Sequence, residues 1–498
     1  MRAKKGRLLV GQSGGCTTVM NASLIGVVQE ALHHTEIEAV YGALHGIEGL
    51  LNEELVDLSS EDPSTLELVR HTPAAALGSG RYRLQPGDVE RALEVLQAHE
   101  IRYFTFIGGN DSADTSHRLA RAAAAAGYEM RVIAVPKTID NDLPLTDHSP
   151  GYGSIARFIA MSVRDGGRDT EAMKRREPVK IVEVMGRNAG WVAAASALGK
   201  RDELDAPHLI YVPERPLSLD RFLDEVETAY RRFGIAVAVV TETIREHDGK
   251  PIGQPPPPGA GERADPFGHL RLAGAAAYLC QQVISNLGLL ARWDKPGTIQ
   301  RMSMACASPV DLAEAYLVGQ AAVRYAVAGE SDAMVALVRE AGAEYGCTTG
   351  LAPLAAVANT EKRLPEEYLQ ADWPFVTPAF LDYARPLIGG PLPEYSRLRG
   401  LRVPPRRQHP LSSEWFLCII QPNSLAYAKE ACLDVAAGLV LVSLRACCMA
   451  FVSAPPLNGF SGHCVRGSDH GVCRGQHVCG EGGRYRLWHR GRDRDGGR

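Results

Sequence analysis

Short apolar runs recur along the chain, and longer stretches with helical spacing separate them. Arg7–Val10 reads as a buried strand that ends at Gly11-Gln12-Ser13-Gly14-Gly15, and Val19–His33 follows with helical spacing. Tyr103–Ile107 is a second strand, entering Gly108-Gly109, and Ala113–Ala126 is an alanine-rich helix stopped by Gly127. Val132–Val135 is a strand before Pro136. Lys180–Val184, Leu209–Val212 and Ile235–Val240 are further β-branched strands, with helical stretches at Trp191–Leu198 and Leu219–Phe233. This alternation predicts an α/β fold with largely parallel sheets. Lys250–Asp265 contains Pro255-Pro256-Pro257-Pro258 and several glycines, so it is predicted to be a surface loop.

The rhythm stops near residue 405. Beyond it the chain is rich in Cys, Gly, Arg and His, and seven of the eleven cysteines fall there. Cys464, Cys473 and Cys479, with His463, His470 and His477, fit no familiar zinc spacing. A disordered extension or a reading-frame artefact accounts for the tail more simply. The four cysteines of the body, Cys16, Cys280, Cys306 and Cys347, form no disulfide framework, which points to a reduced compartment.

The length of 498 residues allows two or three domains at roughly 100–200 residues each. A net charge of −4 gives no basic excess for nucleic acid. The basic start, Met1 to Arg7, precedes only Leu8-Leu9-Val10, shorter than the apolar core of a signal peptide. Val435–Leu444 is too short to span a bilayer. A cytoplasmic protein without a membrane segment is expected.

Three turns follow strands and carry candidate chemistry. Ser13-Gly14-Gly15 precedes a helix, where main-chain N–H groups and the helix N-terminus can receive an anion. Glycines also serve such turns for steric reasons alone. In Gly108-Gly109-Asn110-Asp111-Ser112, Asn110 and Asp111 are oxygen donors suited to Mg2+, while Asp111 or Ser112 could equally be a plain helix cap. Pro136-Lys137-Thr138-Ile139-Asp140-Asn141-Asp142 is the most informative stretch. A turn needs neither a lysine nor two aspartates, but phosphoryl transfer can use a base, a metal-organising carboxylate and a cation. Met185-Gly186-Arg187 ends another strand, and Arg187 could grip a phosphate through two N–H groups. Glu242 ends Ile235–Val240, where a carboxylate could hold sugar hydroxyls. Arg81, in Leu77-Gly78-Ser79-Gly80-Arg81, is a loop cation, and Arg292 and Arg301 flank Lys295–Gln300. Each of these taken singly reads more simply as a solvated charge.

Taken in order, with Thr298-Ile299-Gln300-Arg301, these motifs resemble the phosphofructokinase family over roughly residues 6 to 400. The resemblance implies two Rossmann-like three-layer domains. Residues 1–150, with part of 300–360 returning, would be the donor domain and 151–300 the sugar-phosphate domain, with 361–404 completing the body. It implies that Asp140 is the general base for the C1 hydroxyl of fructose 6-phosphate, with Thr138, Ile139 and Asp142 positioning substrate and metal. Gly15 and Arg81 match donor-phosphate contacts. Met185, Gly186, Arg187 and Glu242 match the sugar site, with Arg187 also near the transferred group. Arg292 and Arg301 match the 6-phosphate site, Arg292 reaching in from a neighbouring subunit, so a homodimer or homotetramer is expected, and Thr298 matches a substrate-binding residue. Members using ATP carry glycine where this chain has Asp111 and Lys137. Members using pyrophosphate carry Asp and Lys, which implies pyrophosphate as donor and a reversible reaction. An ATP-dependent enzyme and a silent sugar-phosphate-binding regulatory subunit are the alternatives. The chain departs from the family's pattern in three places. Asn110 replaces the usual metal-site aspartate, Cys16 follows the two glycines, and Pro178 stands where a second cross-subunit arginine is expected.

Overall fold

The computed structural model describes residues 5–253, 274–342, 344–400 and 403–404. Most of the predicted loop Lys250–Asp265 and the tail beyond 405, with its Cys and His residues, lie outside the described residues. The chain divides into two units, Met1–Ser396 and Arg397–Arg498, and the fold described is that of the first.

Eleven strands among the described residues form two sheets. They are β1 (Gly6–Gln12), β2 (Ile37–Ala43), β3 (Leu55–Asp57), β4 (Ile101–Gly108), β5 (Arg131–Pro136), β6 (Val179–Val184), β7 (Leu209–Tyr211), β8 (Ala236–Thr241), β9 (Ala291–Asp294), β10 (Ala333–Arg339) and β11 (Cys347–Pro353). The first sheet has the order β11-β10-β5-β4-β1-β2-β3, and the second β7-β8-β6-β9. Only the outer strands of the first sheet, β3 and β11, pair antiparallel; every pairing in the second sheet is parallel.

The strands are continuous apolar runs because both faces of each sheet are covered. In the first sheet, Leu8 and Val10 pack on one face with Val28 and Val318, while Leu9, Phe104 and Phe106 pack on the other with Leu119. In the second, Val182, Val184 and Val237 meet Ile155 and Trp191, while Ile181, Ala238 and Val240 meet Phe222 and Leu279. The result is two three-layer α/β halves.

The predicted elements recur with shifted ends. The first strand runs on to Gln12 because Gly11 and Gln12 still pair with Phe106 and Ile107. The alanine-rich helix starts at Asn110 rather than Ala113. Trp191–Leu198 becomes an α-helix, Trp191–Ala195, followed by the 3-10 turn Ser196–Gly199. Two long helices, Tyr152–Met173 and Pro309–Ala328, were not among the predicted elements. The second crosses the helix Met20–Ala31 closely: a Cβ at Gly319 would stand 2.2 Å from the carbonyl oxygen of Ser23. Any larger residue there would push the two helices apart.

Candidate active site

The ends of β1, β4 and β5 lie side by side, so their three turns share one edge of the first sheet. That is the edge at which open α/β sheets receive ligands. The turns are laced together. Lys137 N–H donates to the Gly108 carbonyl at 3.0 Å, Gly14 N–H to the Gly80 carbonyl at 3.0 Å, and Ser79 Oγ to the Gly14 carbonyl at 2.6 Å. A side chain at Gly15 would put its Cβ 2.4 Å from Nη1 of Arg301 and 3.7 Å from Nη2 of Arg81. The glycine therefore admits two guanidinium groups to the turn.

Lys137 adds a third cation. It is 4% exposed, and its Nζ donates to the Gly15 carbonyl at 3.0 Å. Burial, reinforced by Arg301 and Arg187, lowers its pKa to about 8, and Cys16 and Asp140 oppose that shift. Arg301 is itself lowered by burial first, and its Nε has no partner among the described residues. Concentrated positive charge with an unsatisfied donor suits a polyanion. Asn110 and Asp111 occupy the first turn of the helix Asn110–Ala125, and neither Asp111 nor Ser112 caps it.

After β5 the chain turns back on itself. Asn141, at φ 55°, is buried between the two aspartates. Its Oδ1 accepts from Ser149 N–H at 3.0 Å, and its Nδ2 donates to the Tyr383 hydroxyl at 3.0 Å. This anchoring fixes the turn that carries Asp140 and Asp142, both of them buried. Asp140 N–H donates to Thr138 Oγ1 at 3.1 Å, and Arg187 Nε lies 3.8 Å from Asp140 Oδ2. Burial raises the pKa of both aspartates. Asp140 raises that of Asp142 further, while Arg187 lowers both.

Asn110 and Asp142 have the donor chemistry of a metal site. Asn110 Oδ1 is buried without a hydrogen-bond partner, and Asn110 Nδ2 lies 3.4 Å from Asp142 Oδ2. An orphaned buried oxygen, on a residue whose amide reaches a carboxylate, fits a hard divalent cation. No group of three Cys, His, Asp or Glu ligands occurs among the described residues, so substrate oxygens and water would complete the shell.

The second sheet supplies the facing wall. Met185 N–H donates to Gln300 Oε1 at 3.1 Å, tying the end of β6 to the 3-10 turn Gly297–Arg301. Gly186, at φ 145°, takes a conformation that side chains rarely adopt, and Arg187 follows at φ 49° with its carbonyl held by the Thr243 hydroxyl. Glu242 N–H donates to the Val184 carbonyl at 3.1 Å, which puts the carboxylate at the same strand end. Burial, then Asp140, raises the pKa of Glu242, and Lys295 opposes them.

Three predicted residues stand differently. The Ile139 side chain is buried with Tyr152 and Trp191, so only its main chain is available to the site. Thr298 is exposed on the 3-10 turn. Arg292 is exposed on the edge strand β9, paired with Glu177 at 2.5 Å. The arginine side chain is 53% exposed against 23% for Glu177, which leaves Arg292 able to turn elsewhere.

Sequence reading missed the residues that hold the aspartate turn. Lys362 N–H donates to the Asp142 carbonyl at 2.6 Å, and its Nζ donates to the carbonyls of Thr146 and Asp147 at 3.0 and 2.9 Å. Asn188 donates to both carboxylate oxygens of Glu361 at 3.1 and 3.3 Å. Asp311 accepts from Gly151 and Ser154 N–H at 2.8 Å each, capping the helix Tyr152–Met173 from 160 and 157 positions away. No local signal marks these residues.

The phosphofructokinase family model matches residues 7–326. The chain is 41% identical over 403 residues to a pyrophosphate–fructose 6-phosphate 1-phosphotransferase of Rhodospirillum rubrum, covering 80% of this chain and 98% of that protein. It is 41% identical over 413 residues to the protein of the same name from Xanthomonas campestris, covering 80% and 97%. A crystal structure of a pyrophosphate-dependent phosphofructokinase from Nitrosospira multiformis superposes with a TM-score of 0.71 at 36% identity, covering 81% of this chain and 98% of that one.

Proposed function

Because the chain belongs to the phosphofructokinase family, whose enzymes use a divalent metal, we propose that it transfers one phosphoryl group reversibly from pyrophosphate to the C1 hydroxyl of fructose 6-phosphate. The products are fructose 1,6-bisphosphate and inorganic phosphate. The observation that carries the choice of donor is the pair Lys137 and Asp111. Lys137 fixes a cation against the Gly15 turn, and Asp111 puts a carboxylate in the adjoining helix turn, where the remainder of a nucleotide would have to pass.

Each residue has a defined task. Asp140 takes the proton of the C1 hydroxyl, and its raised pKa makes it a stronger base than a solvated aspartate. Thr138 orients that carboxylate through its hydroxyl. Gly15 main chain, Arg81 and Lys137 hold the donor phosphates, and Arg187 steadies the group in transit. Met185, Gly186 and Glu242 hold the sugar, and Thr298 and Arg301 its 6-phosphate. A Mg2+ ion held by Asn110 and Asp142 would neutralise charge on the phosphate oxygens. Arg292, exposed on β9, completes the 6-phosphate site of a neighbouring copy in a homodimer or homotetramer. Residues 1–150, with the returning part of 300–360, serve the donor, and 151–300 serve the sugar, in an enzyme working in the cytoplasm. No helix among the described residues is long and apolar enough to cross a membrane.

Phosphorus NMR of the purified protein with fructose 1,6-bisphosphate, inorganic phosphate and Mg2+ tests the reading in the reverse direction. A growing pyrophosphate signal, with fructose 6-phosphate, is the expected outcome. Hydrolysis without pyrophosphate, or no reaction, would count against it.

A further inference from the structure

Lys295 follows β9 on the segment that leads to Thr298 and Arg301, and the roles above do not use it. Its ammonium lies 2.6 Å from Oε1 of Glu183. The Glu183 side chain, on β6, is 1% exposed, and its Oε2 accepts the N–H of Ala276 at 3.0 Å, at the start of the helix Ala275–Leu287. Lys295 is thus anchored on a carboxylate that is itself fixed. Yet its own side chain is 37% exposed. Among the described residues Glu183 is its only ion-pair partner, and Glu183 Oε1 accepts no hydrogen bond, so Lys295 contributes its charge there and keeps its N–H groups for solvent or a ligand.

Glu242 lies next door. It follows β8, which pairs with β6 through Glu183↔Val240 and Val184↔Thr241. Two carboxylates therefore end adjacent strands, with Asp140 opposite. Burial, Asp140 and Glu183 all favour the protonated form of Glu242, and Lys295 and Arg187 oppose them. A carboxylate that is to accept hydrogen bonds from sugar hydroxyls has to stay ionised. Arg187 is committed to Asp140 at 3.8 Å and to the transferred group, which leaves Lys295 for Glu242.

We propose that Lys295 is a positioning residue of the sugar-phosphate site: anchored on Glu183, it compensates the carboxylate pair at the ends of β6 and β8 and holds Glu242 as a hydrogen-bond acceptor for the ketose phosphate. The inference rests on the role proposed above for Glu242.

The test compares wild type with Lys295→Met, Lys295→Gln and Lys295→Arg. Lys295→Gln keeps a polar side chain beside Glu183 but carries no charge, so it reports on the site even where Lys295→Met folds poorly. Both neutral variants should raise KM for fructose 6-phosphate about tenfold, because the buried Glu183 carboxylate and its neighbour Glu242 lose the cation that offsets their charge. Their kcat and their KM for pyrophosphate should stay within about twofold of wild type. Lys295→Arg should restore KM. An unmoved KM for fructose 6-phosphate overturns the proposal, as does a parallel loss in both substrates and kcat, which a merely structural ion pair would give. Wild-type protein that does not turn over pyrophosphate and fructose 6-phosphate would overturn the phosphotransferase reading itself, and the proposal with it.

Discussion

Lys137 donates from Nζ to the carbonyl oxygen of Gly15 at 3.0 Å, joining two turns 122 positions apart. The contact holds a buried cation where the turn also admits Arg301 and Arg81. With its pKa lowered to about 8, the ammonium is still mostly charged at neutral pH. Replacing Lys137 with Met should lower kcat with pyrophosphate by about 10²–10³, the range for loss of one preorganised donor. Steady-state kinetics with a melting control checks this. A change below threefold would show that Lys137 does not act on the transferred charge.

Asp140→Asn keeps the shape of the side chain and removes the base. It should cut kcat by about 10²–10⁴ while KM for fructose 6-phosphate changes little. Rapid-quench measurement of the first turnover would show the loss in the chemical step itself. Equal loss in kcat and in sugar affinity would instead make Asp140 a binding residue.

Asn110 carries a buried, unpartnered neutral oxygen, and its amide nitrogen lies beside Asp142. Asn110→Asp adds a charge to the metal site, so half-maximal activity should need several-fold less Mg2+, and Asn110→Ala should need more. Titration of activity against Mg2+ at saturating substrates decides it. An Asn110→Asp curve that overlays wild type would remove Asn110 from the metal site.

His148 is 1% exposed, between Asp147 Oδ2 at 2.8 Å and Glu314 Oε2 at 2.7 Å. Burial alone would lower its pKa, but hydrogen bonds to the two carboxylates outweigh burial and raise it. The imidazolium therefore stabilises the fold fully below its unfolded pKa of about 6.5, and this contribution is lost as pH rises through the higher folded value. Burial raises the pKa of Asp147, but His148 and Arg339 outweigh it, so the net shift is downward. Its contribution is present above its unfolded pKa of about 3.9 and is lost as pH falls through the lower folded value. The melting temperature should fall as pH is raised above about 6.5, and His148→Gln should flatten that alkaline limb. Thermal unfolding from about pH 5.5 to 9 measures it, and parallel profiles for the two proteins would contradict the assignment.

Much of the site was legible because its residues cluster at strand ends. Lys137, Thr138, Asp140 and Asp142 lie within six positions, so one turn carries them all. The helix Pro309–Ala328 was not legible for a physical reason. It buries Asp311 and Glu314 beside Ala315, Val318, Gly319 and Ala322, which blurs the apolar stripe that marks an ordinary surface helix. Lys362 and Lys295 were passed over because each acts across the fold, on Asp142 and Glu183, through contacts without a local pattern.

The most direct test of the central claim supplies fructose 6-phosphate and Mg2+ with either pyrophosphate or ATP and follows fructose 1,6-bisphosphate. Product with pyrophosphate and none with ATP is the predicted result, and Asp111→Gly with Lys137→Gly should raise ATP use. Product with ATP alone would contradict the roles given to Asp111 and Lys137.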